Sequence, residues 1–260
     1  MKTTRTYGNE PYNVVVIHGG PGAPGYMAPV ARVLSRERGV IETIHRAATL
    51  DGQVGEILSP VRRYGKGPVT LVGHSWGAML AYVFSAKYPK MVKRLIMVSS
   101  AVFETGYEEA IMKTRRARLG VDEISELGKL MKRLIDPWER DKNRIFTRLG
   151  EMTMKTDSVD LLLRKMEMPE CDYDVFCSVW DDAEELRSSG ELLGLATKIK
   201  CPVVAIHGDH DPHPVEGVRE PLSRVLGDFR FIVLEKCGHY PWLEKYARDL
   251  FYGILRNEIL

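Results

Sequence analysis

The sequence predicts a doubly wound, mostly parallel α/β sheet of about six strands carrying an inserted helical segment. Three observations lead there. Short β-branched runs alternate with helix-spaced segments over residues 14 to 100 and again after residue 202. A Gly73-His74-Ser75-Trp76-Gly77 pentapeptide sits between the apolar run Val69-Thr70-Leu71-Val72 and a helical pattern from Ala78 to Lys87. The strand rhythm stops between them, from about Ala101 to Ala196, where charged, Met-rich helical segments take over. These readings divide the chain into a core of residues 1–100 and 197–260 and a helical cap of residues 101–196.

The first strand is Val14-Val15-Val16-Ile17, an unbroken β-branched run of the kind buried on both faces of a parallel sheet. His18-Gly19-Gly20-Pro21-Gly22 follows directly, and a Gly/Pro-rich loop at a strand's carboxyl end lets backbone amides approach a ligand closely. Met27 to Arg38 has helix spacing, Val40 to Ile44 reads as a strand, and Val54 to Tyr64 as a helix in spite of Pro60. After the serine pentapeptide, Leu95-Ile96-Met97-Val98 is the next strand. The rhythm resumes with a strand at Pro202-Val203-Val204-Ala205-Ile206, a helix from Val215 to Leu226, a last strand at Phe231-Ile232-Val233-Leu234 and an amphipathic helix from Trp242 to Arg256.

The charge pattern bears on partners. At a net charge of +2, with no block of basic residues, the chain offers no footprint for nucleic acid or for an anionic membrane surface. A small molecule is the expected partner. Within the inserted segment the charge is segregated: residues 113–148 are rich in Lys and Arg, whereas residues 167–191 carry a run of acids and only Arg187 against them. Such a run is ordinarily a solvated face; its sharper meaning is an electrostatic collar for a cationic group. Cys171, Cys177, Cys201 and Cys237 show no Cys-x-x-Cys spacing and the first residues are polar, which points to reduced thiols in a cytoplasmic protein. No apolar run reaches the roughly 20 residues that a membrane-crossing helix needs.

Gly-x-Ser-x-Gly between strand and helix is a nucleophile elbow: the turn forces the serine into strained dihedrals and lifts its hydroxyl clear of the sheet. A serine hydroxyl becomes a nucleophile at neutral pH when an imidazole takes its proton, and that imidazole needs a carboxylate to fix its tautomer. In chain order the acid and the histidine follow the serine on loops after later strands. His207-Gly208-Asp209-His210-Asp211-Pro212 follows the strand ending at Ile206, and Cys237-Gly238-His239-Tyr240-Pro241 follows the strand ending at Leu234. His239 is the only histidine after the last strand. Of the two acids, Asp209 lies close enough to its strand to bond the loop backbone. The developing oxyanion would be met by the backbone amides of Gly20 and of Trp76, the residue after the nucleophile. Tyr26, Trp180 and Trp242 are candidates for the pocket wall.

These motifs resemble the α/β-hydrolases, and His18-Gly19-Gly20-Pro21-Gly22, Gly73-His74-Ser75-Trp76-Gly77, Gly208 with Asp211, and Gly238-His239 resemble most the proline iminopeptidase-like and carboxylesterase-like subgroup. The resemblance covers roughly residues 14 to 100 and 202 to 257. It implies that Asp211, three residues after Gly208, is the acid, which gives a Ser75-Asp211-His239 triad acting without a cofactor or metal on a small ester or short peptide. It also implies that the strands ending at Ile17 and Val72 are neighbours at the topological switch point. Members usually carry an antiparallel hairpin of about 30 residues ahead of the Gly-rich loop, for which this chain has no room, so a core lacking that hairpin is expected. In the aminopeptidases, cap glutamates hold the substrate's free amine; Glu139, Glu184 and Glu185 are the counterparts suggested here.

Two rival readings follow from the same residues. His207, Asp209, His210 and Asp211, with His213 beside them, have the ligand types of a metal-dependent hydrolase, although known dense His/Asp metal motifs are spaced differently. A non-catalytic binding protein could keep the fold, since a fold alone does not establish chemistry.

Overall fold

A computed structural model describes residues 3–23, 27–162 and 171–260. A seven-stranded sheet has the order β1-β3-β2-β4-β5-β6-β7, formed by Thr4–Tyr7, Gly39–Thr43, Tyr12–Ile17, Gly65–His74, Val92–Val98, Val203–Gly208 and Phe229–Leu234. From β3 to β7 every neighbouring pair runs parallel, and β1 pairs antiparallel with β3. The strand beyond the six expected is β1. Its sequence, Thr-Arg-Thr-Tyr, is polar because it forms a sheet edge, so it lacks the apolar run that marks the buried strands. It pairs with β3 and not with its chain neighbour β2, so it is no hairpin arm.

Alternation explains why the central strands read as unbroken apolar runs. Val15, Ile17 and Leu71 face one layer with α2 (Leu50–Tyr64) and α3 (Trp76–Lys87). Val14, Val16 and Val72 face the other layer, with α1 (Ala28–Leu34) and the terminal helix. Both faces are dry, and successive side chains of a strand point to opposite faces. From Trp76 to Ala86 every residue of α3 is buried, as expected of a helix with no polar side. α2 starts earlier than its apolar spacing predicts because Thr49 caps it, its hydroxyl accepting from the Gly52 N–H at 3.1 Å.

Between β5 and β6 lie α4 (Glu108–Ala117), α5 (Val121–Leu134), α6 (Lys142–Thr156), α7 (Tyr173–Ser188) and the short α8 (Glu191–Gly194). α7 is opened by Asp172, whose carboxylate accepts from the Val175 N–H at 3.0 Å. After β6 come α9 (Glu216–Val225), β7 and α10 (Arg248–Ile259). α10 begins six residues later than expected: Pro241–Leu243 form a 3₁₀ turn, and the chain passes through Glu244 to Ala247 before the helix starts. No described helix is long and apolar enough to cross a membrane, and the four cysteines are free thiols.

Chain order along the sheet reverses between β2 and β4, where Ile17 pairs with Gly73. At such a switch point the loops after the two strands diverge and leave a crevice. Here those loops are His18-Gly19-Gly20 and the Ser75 turn.

Candidate active site

Ser75 is the single residue between β4 and α3, with φ 53° and ψ −120°. This is a strained conformation for a residue with a side chain. The flanking glycines permit it. A Cβ on Gly73 would lie 2.2 Å from the Gly77 carbonyl oxygen, and one on Gly77 would lie 2.4 Å from the carbonyl oxygens of both Ile17 and His18. The elbow is therefore pressed directly onto the end of β2. Trp76 is the first residue of α3, so its N–H has no acceptor within the helix and sits at the helix's positive end.

Asp211 and His239 arrive from β6 and β7. The His239 Nδ1–H donates to Asp211 Oδ2 at 2.6 Å, and both side chains are buried. Burial alone would raise the Asp211 carboxyl; the imidazoles of His239, His213 and His207 and the hydrogen bond from His213 outweigh it and hold the group well below the usual carboxylate range. Asp211 is thus an anion placed behind the histidine ring. Asp209, as expected from its position, serves the backbone: its carboxylate accepts from the N–H groups of Lys236 at 3.0 Å and Cys237 at 3.1 Å. The His207 Nε2–H donates to the His213 carbonyl oxygen at 2.8 Å. Two of the four residues of the metal reading are therefore committed to backbone groups.

The backbone around His239 is fixed from several directions. Its N–H donates to the Asp157 carbonyl oxygen at 2.7 Å, and its carbonyl oxygen accepts from the His74 Nε2–H at 2.9 Å. The buried Glu244 carboxylate accepts from the N–H groups of Gly238, Val159 and Asp160 at 3.0, 2.9 and 2.9 Å. Asp157 itself is held by Arg115 of α4, whose Nε lies 2.9 Å from Oδ1. His74 is fully enclosed, and burial, then the neighbouring His239, push its imidazole well below the ordinary histidine range, so it stays neutral.

Ser75, Gly20, Trp76, His213 and His239 all line one cavity of about 540 Å³ between the sheet and α4, α6 and α7. Its outer wall is largely apolar, with Ile111, Met112, Phe146, Leu149, Phe176 and Trp180, and carries a charged cluster besides. Trp180 stands where the pocket expectation put it, stacked on Phe176 at 5.9 Å and 9°. On that wall Glu184 and Glu108 both pair with the buried Arg187, Glu108 at 2.5 Å, and the Arg187 guanidinium lies 5.5 Å over the Trp180 ring. Burial first, then its closeness to Glu184, raises the Glu108 carboxyl, although Arg187 opposes the shift.

Three other residues expected at the substrate site, Glu185, Glu139 and Trp242, do not line the cavity. Glu185 is exposed and turned away, because neighbours on a helix diverge by about 100° and Glu184 takes the inward direction. Glu139 pairs with Arg133 at 2.8 Å, outside the cavity lining. Trp242 lies behind the site: its ring meets His74 edge-on at 4.7 Å and packs toward Phe251, because the 3₁₀ turn carries it under the histidine loop. Tyr26 falls outside the described residues. Sequence reasoning named His213 only within the metal reading and did not select Glu108, Arg115 or Arg187 as site residues. For Arg187 a signal existed, since it is the lone base of an acidic run; for Glu108 and Arg115 the position depends on where α4 packs.

Residues 14–251 match the family described as Alpha/beta hydrolase family. A proline iminopeptidase of Heyndrickxia coagulans is 23% identical over 251 residues, covering 89% of this chain and 85% of that protein. Among solved structures, VinJ superposes with a TM-score of 0.65 at 19% identity, over 98% of this chain and 93% of its own. The proline iminopeptidase of Mycobacterium smegmatis does so with a TM-score of 0.63 at 18% identity, over the same shares of the two chains. At these identities the structural likeness is one of fold.

Proposed function

Because the chain belongs to the alpha/beta hydrolase family, we propose that it is a serine hydrolase, acting through a Ser75-His239-Asp211 triad on a small ester or amide. The observation that carries this reading is the buried 2.6 Å bond from His239 to Asp211 in a ring that shares one cavity with the strained Ser75. Ser75 Oγ attacks the substrate carbonyl carbon while His239 Nε2 takes the hydroxyl proton, and the imidazolium formed is balanced by Asp211. The carbonyl oxygen, now an anion, is received by the N–H groups of Gly20 and Trp76, a contribution on the order of 3 kcal/mol for each donor. Collapse breaks the bond to the alcohol or amine, which leaves with the proton from His239. Water, deprotonated by the same imidazole, then attacks the acyl-enzyme, and the acid is released as Ser75 recovers its proton.

Residues 101–196 act in this reading as a helical cap that supplies the acyl-side wall. Its apolar surface favours a hydrophobic acyl group and a carboxylesterase. The Glu108–Arg187–Glu184 cluster favours the second reading, a proline iminopeptidase-like aminopeptidase, because it sets two carboxylates against one guanidinium and so leaves an excess of acid for a substrate amine.

A paired assay of short-chain p-nitrophenyl esters against prolyl and alanyl β-naphthylamides tests both. Ester turnover alone assigns a carboxylesterase, amide turnover assigns the aminopeptidase, and Ser75→Ala should lower either by several orders of magnitude with the fold intact. Wild-type turnover by Ser75→Ala would contradict the proposal.

A further inference from the structure

Asp211 is a carboxylate shared between two imidazoles. Oδ2 receives His239, while Oδ1 accepts both the His213 N–H at 3.0 Å and the His213 Nδ1–H at 2.8 Å. The His213 ring also lies against the His239 ring, with centroids 4.7 Å apart and planes 25° from parallel. It is nearly buried and lines the cavity, and with His74, whose ring centroid is also 4.7 Å from that of His239, it forms a surface on which the catalytic ring rests. His213 is itself held by the His207 Nε2–H on its carbonyl oxygen.

We propose that His213 is a positioning residue for the catalytic pair: it fixes the Asp211 carboxylate through Oδ1, shares that anion's charge, and limits the tilt of the His239 ring. The inference rests on the serine-hydrolase reading above and adds a residue to it. A carboxylate out of water needs donors on both oxygens, and without the ring Nδ1–H the Oδ1 atom keeps, among the described residues, only the backbone N–H of residue 213. A donor on Oδ1 also drains charge from the oxygen that faces His239, which sets how strongly that imidazole holds a proton.

The charged and titratable groups around His213 are Asp211 and His207 from the β6 side, His239 after β7, His74 at the end of β4, and the Arg115–Asp157 pair of the inserted helices. Burial is the largest influence on His213 and lowers its imidazole, against the pull of Asp211. His213 is therefore a neutral donor, which adds a hydrogen bond without placing a second cation beside the imidazolium that forms on His239.

The test compares wild type, His213→Leu and His213→Asn, whose amide nitrogen occupies the place of ring Nδ1. Ester or amide turnover is measured against pH, with Ser75→Ala alongside. His213→Leu should lose about ten- to a hundredfold in kcat, the size of one hydrogen bond to a charged group, with KM nearly constant. The acid limb of its kcat/KM profile should move to higher pH, because His239 then faces a more concentrated negative charge. His213→Asn should recover most of kcat and bring the limb back. If the leucine chain does not fold, His213→Ala takes its place in the same comparison. Unchanged kcat in the leucine chain, or equal losses in both variants with the acid limb unmoved, would overturn the inference. Loss of turnover in Ser75→Ala with neither His213 variant affected would sink this inference alone; full turnover in Ser75→Ala would sink both.

Discussion

Replacing His18 with asparagine should make the protein's stability less sensitive to acid, by an amount that follows from the ring's surroundings. His18 follows the strand that carries the Gly-rich loop and has no solvent exposure. Its Nε2 accepts from the His45 N–H at 3.0 Å, which leaves the proton on Nδ1, where it donates to the Gly19 carbonyl oxygen at 2.9 Å. Burial, then the nearby His45, lowers its imidazole to about 3. A base whose folded value is depressed binds its proton mainly in the unfolded chain, so stability falls as pH drops below the unfolded value of about 6.5 and this fall ends near 3. At pH 5 the unfolded ring is protonated about 1.5 pH units past its midpoint while the folded ring remains neutral, a loss of about 2 kcal/mol relative to pH 8. Urea unfolding of wild type and His18→Asn at pH 8 and pH 5 reads this as a difference of differences, in which the other buried histidines cancel. The wild type should lose about 2 kcal/mol more than the variant between the two pH values. Equal losses in the two chains would refute the reasoning, since they would place the His18 proton in the folded state as readily as in the unfolded one.

Two further substitutions probe the attachment of the histidine loop to the inserted helices. Gly238→Ala would set a Cβ 2.1 Å from the Asp157 carbonyl oxygen and 2.6 Å from Glu244 Oε1, so His239 must move; steady-state kinetics should show kcat falling with little change in KM. Arg115→Met would leave the fully buried Asp157 carboxylate without its guanidinium, and urea unfolding should show a loss on the order of 3 kcal/mol. A midpoint unchanged from wild type would mean that the pair contributes nothing.

Legibility in the sequence followed how local each determinant is. The strands from β2 to β6 announce themselves as apolar runs because both sheet faces are covered there, β7 does so although it is an edge strand with Val233 exposed, and the elbow does because a turn of one residue needs glycine on either side. The loops carrying Ser75, Asp211 and His239 could be placed at the carboxyl ends of strands from chain order, whereas the choice of Asp211 over Asp209 rests on the resemblance. β1 was missed because an edge strand can be polar. Trp242 was assigned to the pocket because the 3₁₀ turn that swings it beneath His74 has no periodic signature. Glu185 was paired with Glu184, although helical geometry allows only one of the two to face inward. The contacts of Glu108 and Arg187 depend on α4 lying beside α7, a long-range packing that local spacing does not encode. His213 was visible as a member of a dense His/Asp cluster; its bond to Asp211 emerges only when the loop is folded.

The most direct test of the central claim is labelling with a fluorophosphonate, which phosphonylates a serine only where an adjacent base draws off its proton. Intact mass and peptide mapping should place one adduct on Ser75 in the wild type and in a chain altered at the exposed Ser125, and none in Ser75→Ala or His239→Ala. A folded wild-type protein that takes up no label, or label that persists in Ser75→Ala, would contradict the account.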